Sequence, residues 1–161
     1  MADGTQASRR PRGIRLSDDE ERAWQAFLHA HHDLMRVLEA ELEAEHGLSI
    51  GDYDVLVRLA RGPERRLRMT DLAQRVMVSP SGLTRMVDRL VERGLIDRSR
   101  STRDARVMLV QLTEDGRHLV RRAARTHLRG IREHFTDRLS DAQLRTLADI
   151  LETIAGPHRS H

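Results

Sequence analysis

The sequence predicts a mainly helical fold carrying one small β-hairpin. Three observations predict it. Apolar residues recur at helical spacing in long segments near both ends of the 161-residue chain. Helix start and stop residues bracket shorter segments between them. After Gly94, a short run leads into a polar turn, and a returning run rich in Val, Leu and Met follows it, as a hairpin requires.

The elements follow in order. Residues 1–16 read as a flexible basic arm containing Arg9, Arg10, Pro11, Arg12 and Gly13. A first helix starts at Ser17, where Ser17 and Glu20 form a capping box, and stops at Gly47. Its stripe is Trp24, Phe27, Leu28, His31, Leu34, Met35, Leu38 and Leu42. Ser49 caps a second helix with Tyr53, Leu56, Val57, Leu59 and Ala60 inward, ended by Gly62-Pro63. A short third helix opens at Met69 or Thr70. The turn Met77-Val78-Ser79 follows, and Ser79 with Pro80 starts a fourth helix that ends at Gly94. Leu95–Arg100 and Arg106–Leu112 are the hairpin strands. Thr113 caps a long fifth helix, and Ser140 with Gln143 caps a sixth, stopped by Gly156-Pro157.

Charge is distributed unevenly. Residues 17–57 hold two Arg and eleven acids, whereas residues 58–106 hold thirteen Arg and six acids. All 28 basic residues are Arg, a choice that a GC-rich coding bias is sufficient to explain. The concentrated positive segment is the electrostatic footprint of a surface that meets phosphates. With no Cys there are no disulfides and no thiolate ligands. No apolar run approaches the ~20 residues of a membrane span, and the first residues lack a secretory apolar core. A soluble cytoplasmic protein without a cofactor is the expectation. No glycine-rich phosphate loop, G-x-S-x-G or His-Glu metal motif points to an enzyme. The nine His are dispersed, without the spacing of a metal site.

The fourth helix has two faces. Leu83, Met86, Val87, Leu90 and Val91 form one, and Ser81, Thr84, Arg85, Asp88 and Arg89 the other. The second face holds residue types that read base edges in a major groove, with Ser79 at its cap. The short preceding helix would brace it across the backbone, with Arg68 and Thr70 at its entrance as phosphate contacts. The hairpin concentrates Arg98, Arg100, Arg103 and Arg106, and an Arg-tipped ribbon suits a narrow minor groove. Asp104 either holds the Arg106 guanidinium or favours the turn; the residues leave both open.

The stretch LRMTDLAQRVMVSPSGLTRMVDRLVERGLIDRSRSTRDARVMLVQLTEDG, residues 67–116, resembles the MarR family of bacterial transcription regulators. The resemblance extends over roughly residues 17–155. It implies a winged helix-turn-helix at 49–112, between an N-terminal dimerisation helix at 17–48 and C-terminal dimerisation helices at 113–156, with a tail at 157–161. It implies major-groove roles for Ser81, Thr84, Arg85 and Arg89, and minor-groove roles for Arg103 and above all Arg106. It further implies a homodimer on a pseudo-palindromic double-stranded operator, acting as a repressor. A small-molecule effector would bind in a pocket to which Trp24, His31, Tyr53 and His127 are candidate contributors. A helical module that holds a protein partner without DNA is the alternative; the basic helix and Arg-tipped hairpin argue against it.

Overall fold

The computed structural model describes residues 15–76, 79–102 and 104–155. The basic arm up to residue 14, Met77 and Val78 of the turn, Arg103, and the Gly156-Pro157 stop with the tail lie outside the described residues. The helices are α1 (Asp18–His46), α2 (Ile50–Arg61), α3 (Met69–Arg75), α4 (Pro80–Glu92), α5 (Glu114–His134) and α6 (Asp141–Ala155). The strands are β1 (Arg66–Arg68), β2 (Ile96–Arg100) and β3 (Met108–Leu112). Among the described residues, no helix is long and apolar enough to cross a membrane.

The chain divides into two compact units, one up to Asp33 and one from Leu34 onward. In the first, the Ser17 backbone N–H donates to Glu20 Oε2 at 2.9 Å, closing the expected capping box. Four acids in the first turn of α1 suit the positive end of the helix dipole. Trp24, Phe27 and His31 stack along one face, with centroid separations of 6.2 and 6.4 Å. Trp24, Phe27 and Leu28 are exposed in the single chain.

The second unit holds the core, in which Leu42, Leu56, Leu59, Leu72, Leu83, Val87, Leu90, Ile96 and Val110 meet. Several termini of its helices are set by local signals. Gly47, at φ 62°, ends α1. The Ser49 hydroxyl accepts from the Asp52 N–H, the Ser79 hydroxyl from Gly82, and the Thr113 hydroxyl from Gly116. Gly94 turns the chain out of α4 at φ 69°, where a side chain would be strained.

Three strands form the sheet, in the order β1-β3-β2, rather than the two of the expected hairpin. β1 pairs antiparallel with β3, Leu67 facing Val110. Three residues with one inward Leu are too short to announce a strand by alternation. The hairpin strands are also shorter than expected and the loop longer. Ser101 N–H donates to Val107 O and Val107 N–H to Asp104 O, both at 2.9 Å, so Arg106 lies in the turn and not in the returning strand.

α5 carries the partners of the acids near the end of α1. The Thr126 hydroxyl donates to Glu45 at 2.8 Å, and Arg129 pairs with the same carboxylate. The Thr126 hydrogen bond, then Arg129, holds the Glu45 carboxyl below its usual range. His134 Nε2 lies 2.7 Å from Glu41 Oε1. The base of the hairpin is fixed to α5 by Thr113, whose hydroxyl donates to Gly94 O at 2.7 Å. A Cβ on Gly116 would lie 1.9 Å from Leu95 O, so only glycine permits this approach.

Candidate nucleic-acid interface

α4 buries Leu83, Val87 and Leu90 and exposes Ser81, Thr84, Arg85 and Arg89. The division follows from helical spacing, since the three apolar residues lie four and three apart on one stripe. Its first turn contains no acid, so the positive end of the dipole is left for an external anion. Ser79 Oγ caps that turn and lies 3.3 Å from Ser81 Oγ. Its cap role fixes Ser79 at the helix entrance. Pro80 occupies the first helical position, where no N–H is needed.

The outward residues differ in how they are held. Arg85 makes no side-chain hydrogen bond or ion pair with another described residue and stands free on the exposed face. Arg89 donates to Asp52 Oδ1 at 2.6 Å, which turns it toward α2. Asp88 pairs with Arg98 of β2 at 2.8 Å. Arg93, just beyond α4, donates to Gly47 O at 2.7 Å and so caps the carbonyl end of α1.

In the wing, Arg100 and Arg106 are exposed and unpaired among the described residues. Arg98 is engaged with α4. Asp104 does not pair with the Arg106 guanidinium. Its Oδ1 accepts the Arg106 backbone N–H at 2.9 Å, an Asx-turn contact. Of the two readings open in the sequence, the structure places the carboxylate on the backbone. Arg68 and Thr70 are both exposed at the entrance of α3, the Thr70 hydroxyl 3.5 Å from Asp71 Oδ1.

Of the four candidate pocket residues, two come together. The Tyr53 and His127 rings sit 4.8 Å apart, inclined at 49°. Burial pushes the Tyr53 hydroxyl up from its usual pKa. It pushes His127 down, against the opposing charge of Glu41. His127 Nδ1 is buried without a hydrogen-bond partner. Trp24 and His31 belong to the first unit and are exposed there. Two open depressions lie elsewhere, one between Leu128, Arg132 and Asp137, the other between Leu139, Leu147 and Ile150.

Two groupings were not visible as sequence spacing. One is the buried Asp52 beneath Arg89. The other is Glu41, Glu133 and His134, whose ligand-capable atoms lie within 4.8 Å of one another across α1 and α5. Both join residues far apart in the chain.

A capped reading helix, its short bracing helix and an Arg-bearing three-stranded wing define a winged helix-turn-helix protein. A family model described as transcriptional regulator SarA/Rot matches residues 38–123. The crystal structure of AbsC, a MarR family transcriptional regulator from Streptomyces coelicolor, is 34% identical, with a TM-score of 0.82 over 89% of this chain and 96% of that one. Sco3205, a MarR family regulator from the same organism solved in complex with DNA, is 32% identical, with a TM-score of 0.82 over 91% and 97%. The transcriptional repressor YetL of Bacillus subtilis is 28% identical over 115 residues, covering 70% of this chain and 69% of that protein. The chain belongs to the MarR family and is a transcriptional regulator.

Proposed function

We propose that the protein represses transcription as a homodimer on an inverted-repeat operator. In this reading α4 lies in the major groove and Arg106 in the adjacent minor groove. The observation that carries the reading is Arg85. It stands unpaired on the exposed face of a capped helix that has no first-turn acid, the arrangement required to reach a guanine edge bidentately. Sco3205, solved with DNA, supports it. The exposed stripe of Trp24, Phe27 and Leu28, with Leu128, Ile150 and Ile154, supports self-association, because such apolar area is ordinarily covered by a second copy.

Two-fold symmetry would place half-sites about one helical turn apart, roughly 10 base pairs. Gel-shift on the promoter adjoining its own gene tests the function. A discrete complex that survives excess unrelated duplex is the expected result. Loss of the complex on inserting about five base pairs between half-sites tests the symmetry. Equal competition by every duplex would defeat the reading. We also propose the Tyr53–His127 pair as part of an effector site, since it presents an unpartnered buried ring nitrogen beside a phenol. A change in the complex when phenolic or anionic compounds are added to the gel-shift would be its sign.

A further inference from the structure

We infer that Asp52 withholds Arg89 from DNA, so that Arg89 sets the pose of the reading helix and base discrimination rests on its neighbours. The inference rests on the DNA-reading function proposed above.

The helix face alone would assign Arg89 to the groove. Its surroundings do not. Arg89 Nη2 donates to Asp52 Oδ1 at 2.6 Å, and the side chains are 48% and 4% exposed respectively. The anion is buried and the cation is not. Removing the partner of a buried charge is strongly unfavourable, because the charge left behind has neither water nor counterion. A DNA phosphate that captured Arg89 would leave Asp52 in that state.

The pair of Arg98 with Asp88 shows the contrast. Those side chains are 38% and 44% exposed, so either can be rehydrated when the other leaves. Arg98 is therefore exchangeable toward phosphate, and Arg89 is not.

Local geometry shows that the contact is built rather than incidental. Among the described residues there are two complete capping boxes, at Ser17 with Glu20 and at Ser140 with Gln143. In each the cap N–H donates back to the third residue's side chain at 2.9 Å. Ser49 and Asp52 have the same spacing, but only the forward half forms, Asp52 N–H to Ser49 Oγ at 3.1 Å. Asp52 is one methylene shorter than the residues that close the other boxes, and its carboxylate turns across to α4. Gly51 brings the two helices close. A Cβ there would lie 2.3 Å from Met86 Cε, so the first turn of α2 sits directly against α4. Met86 and Arg89 are three apart and share that face.

The consequence is selective. An Arg free beside the groove would bind any phosphate and strengthen binding to every sequence alike. Neutralising it inside the protein removes that contribution and leaves Arg85, Ser81 and Thr84 to discriminate.

Salt titrations by fluorescence anisotropy, on the full chain with its operator and with a scrambled duplex, test this. Asp52→Ala should free Arg89. Binding to the scrambled duplex should then tighten, and the slope of log K against log salt should steepen by ~1.8, the value of one added phosphate contact from each of the two protomers. Asp52→Asn, which keeps an acceptor in place, should restore part of the parent behaviour. The double variant Asp52→Ala/Arg89→Ala leaves no orphaned charge and should return to the parent slope. Melting curves report whether each variant folds; if Asp52→Ala does not, the double variant still decides. A double variant whose slope falls ~1.8 below the parent, or that loses preference at one base pair in each half-site, would show Arg89 on the DNA and overturn the inference. A parental slope for folded Asp52→Ala on both duplexes would overturn it too. A parent chain that prefers no duplex would instead defeat the DNA-reading function itself.

Discussion

Asp88 of α4 and Arg98 of β2 are joined by an ion pair of 2.8 Å, so the reading helix and the wing are tied by one exposed contact. Both partners are more than a third exposed, and such pairs contribute about 0–1 kcal/mol to stability. Asp88→Ala should therefore leave the melting temperature within about 2–4 °C of the parent, on the scaling for a chain of this length. It should also free Arg98, which steepens the salt dependence of DNA binding. A large drop in melting temperature would show the pair to be structural.

Arg85→Ala should cost about 1–3 kcal/mol on the operator and relax base preference at one position in each half-site. Binding to a panel of single-base operator variants measures this. An equal loss on every member would make Arg85 a phosphate contact.

Arg106→Ala should fold normally, because the side chain has no partner among the described residues, and should weaken binding most where the flank is A·T-rich. Arg106→Lys should recover only part, since the ammonium is more strongly hydrated. Asp104→Asn keeps an oxygen for the Arg106 N–H and should bind nearly as the parent does, whereas Asp104→Ala should weaken binding by loosening the turn. Had Asp104 acted on the guanidinium, the Asn variant would be impaired as well. Anisotropy on flank-varied duplexes, paired with melting curves, separates these outcomes.

His127 has a pKa lowered from the ordinary 6.5 by burial, with Glu41 opposing. The neutral ring is favoured in the folded state, so the unfolded chain binds more protons as pH falls. The stability this contributes is complete above pH ~6.5 and is lost progressively as pH drops toward the folded-state pKa. The melting temperature should fall between pH 7.5 and 5.5, and His127→Phe should flatten that part of the profile. Glu45, whose pKa is lowered from 4.5, acts only in a more acid window. An unchanged slope in the His127 variant would place the titration elsewhere.

What the sequence disclosed was governed by local hydrogen bonds. Ser17, Ser49, Ser79, Thr113 and Ser140 each start a helix because a hydroxyl reaches an N–H three residues on, a relation that spacing alone expresses. The apolar faces of α2 and α4 were legible for the same reason. β1 was not, because Arg66–Arg68 becomes a strand only through its pairing with β3. The Arg89–Asp52 contact was not legible either, because it joins residues 37 positions apart. The role of Asp104 turned on an acceptor choice, backbone N–H or guanidinium, that residue order does not encode. Tyr53 and His127 are separate pocket candidates in the sequence, and their tilted ring contact is a property of how α2 meets α5.

The junction at Thr113 and Gly116 makes α5 and the hairpin one lever. No side chain separates the first turn of α5 from Leu95 O, and the Thr113 hydroxyl locks Gly94 to the same turn. A five-residue strand such as β2 spans about 17 Å, so a tilt of about 5° at this joint would carry its tip roughly 1.5 Å. That displacement is comparable to the difference between a hydrogen bond made and one broken. In the proposed DNA pose, a load that rocks α5 would be delivered as a displacement at Arg100.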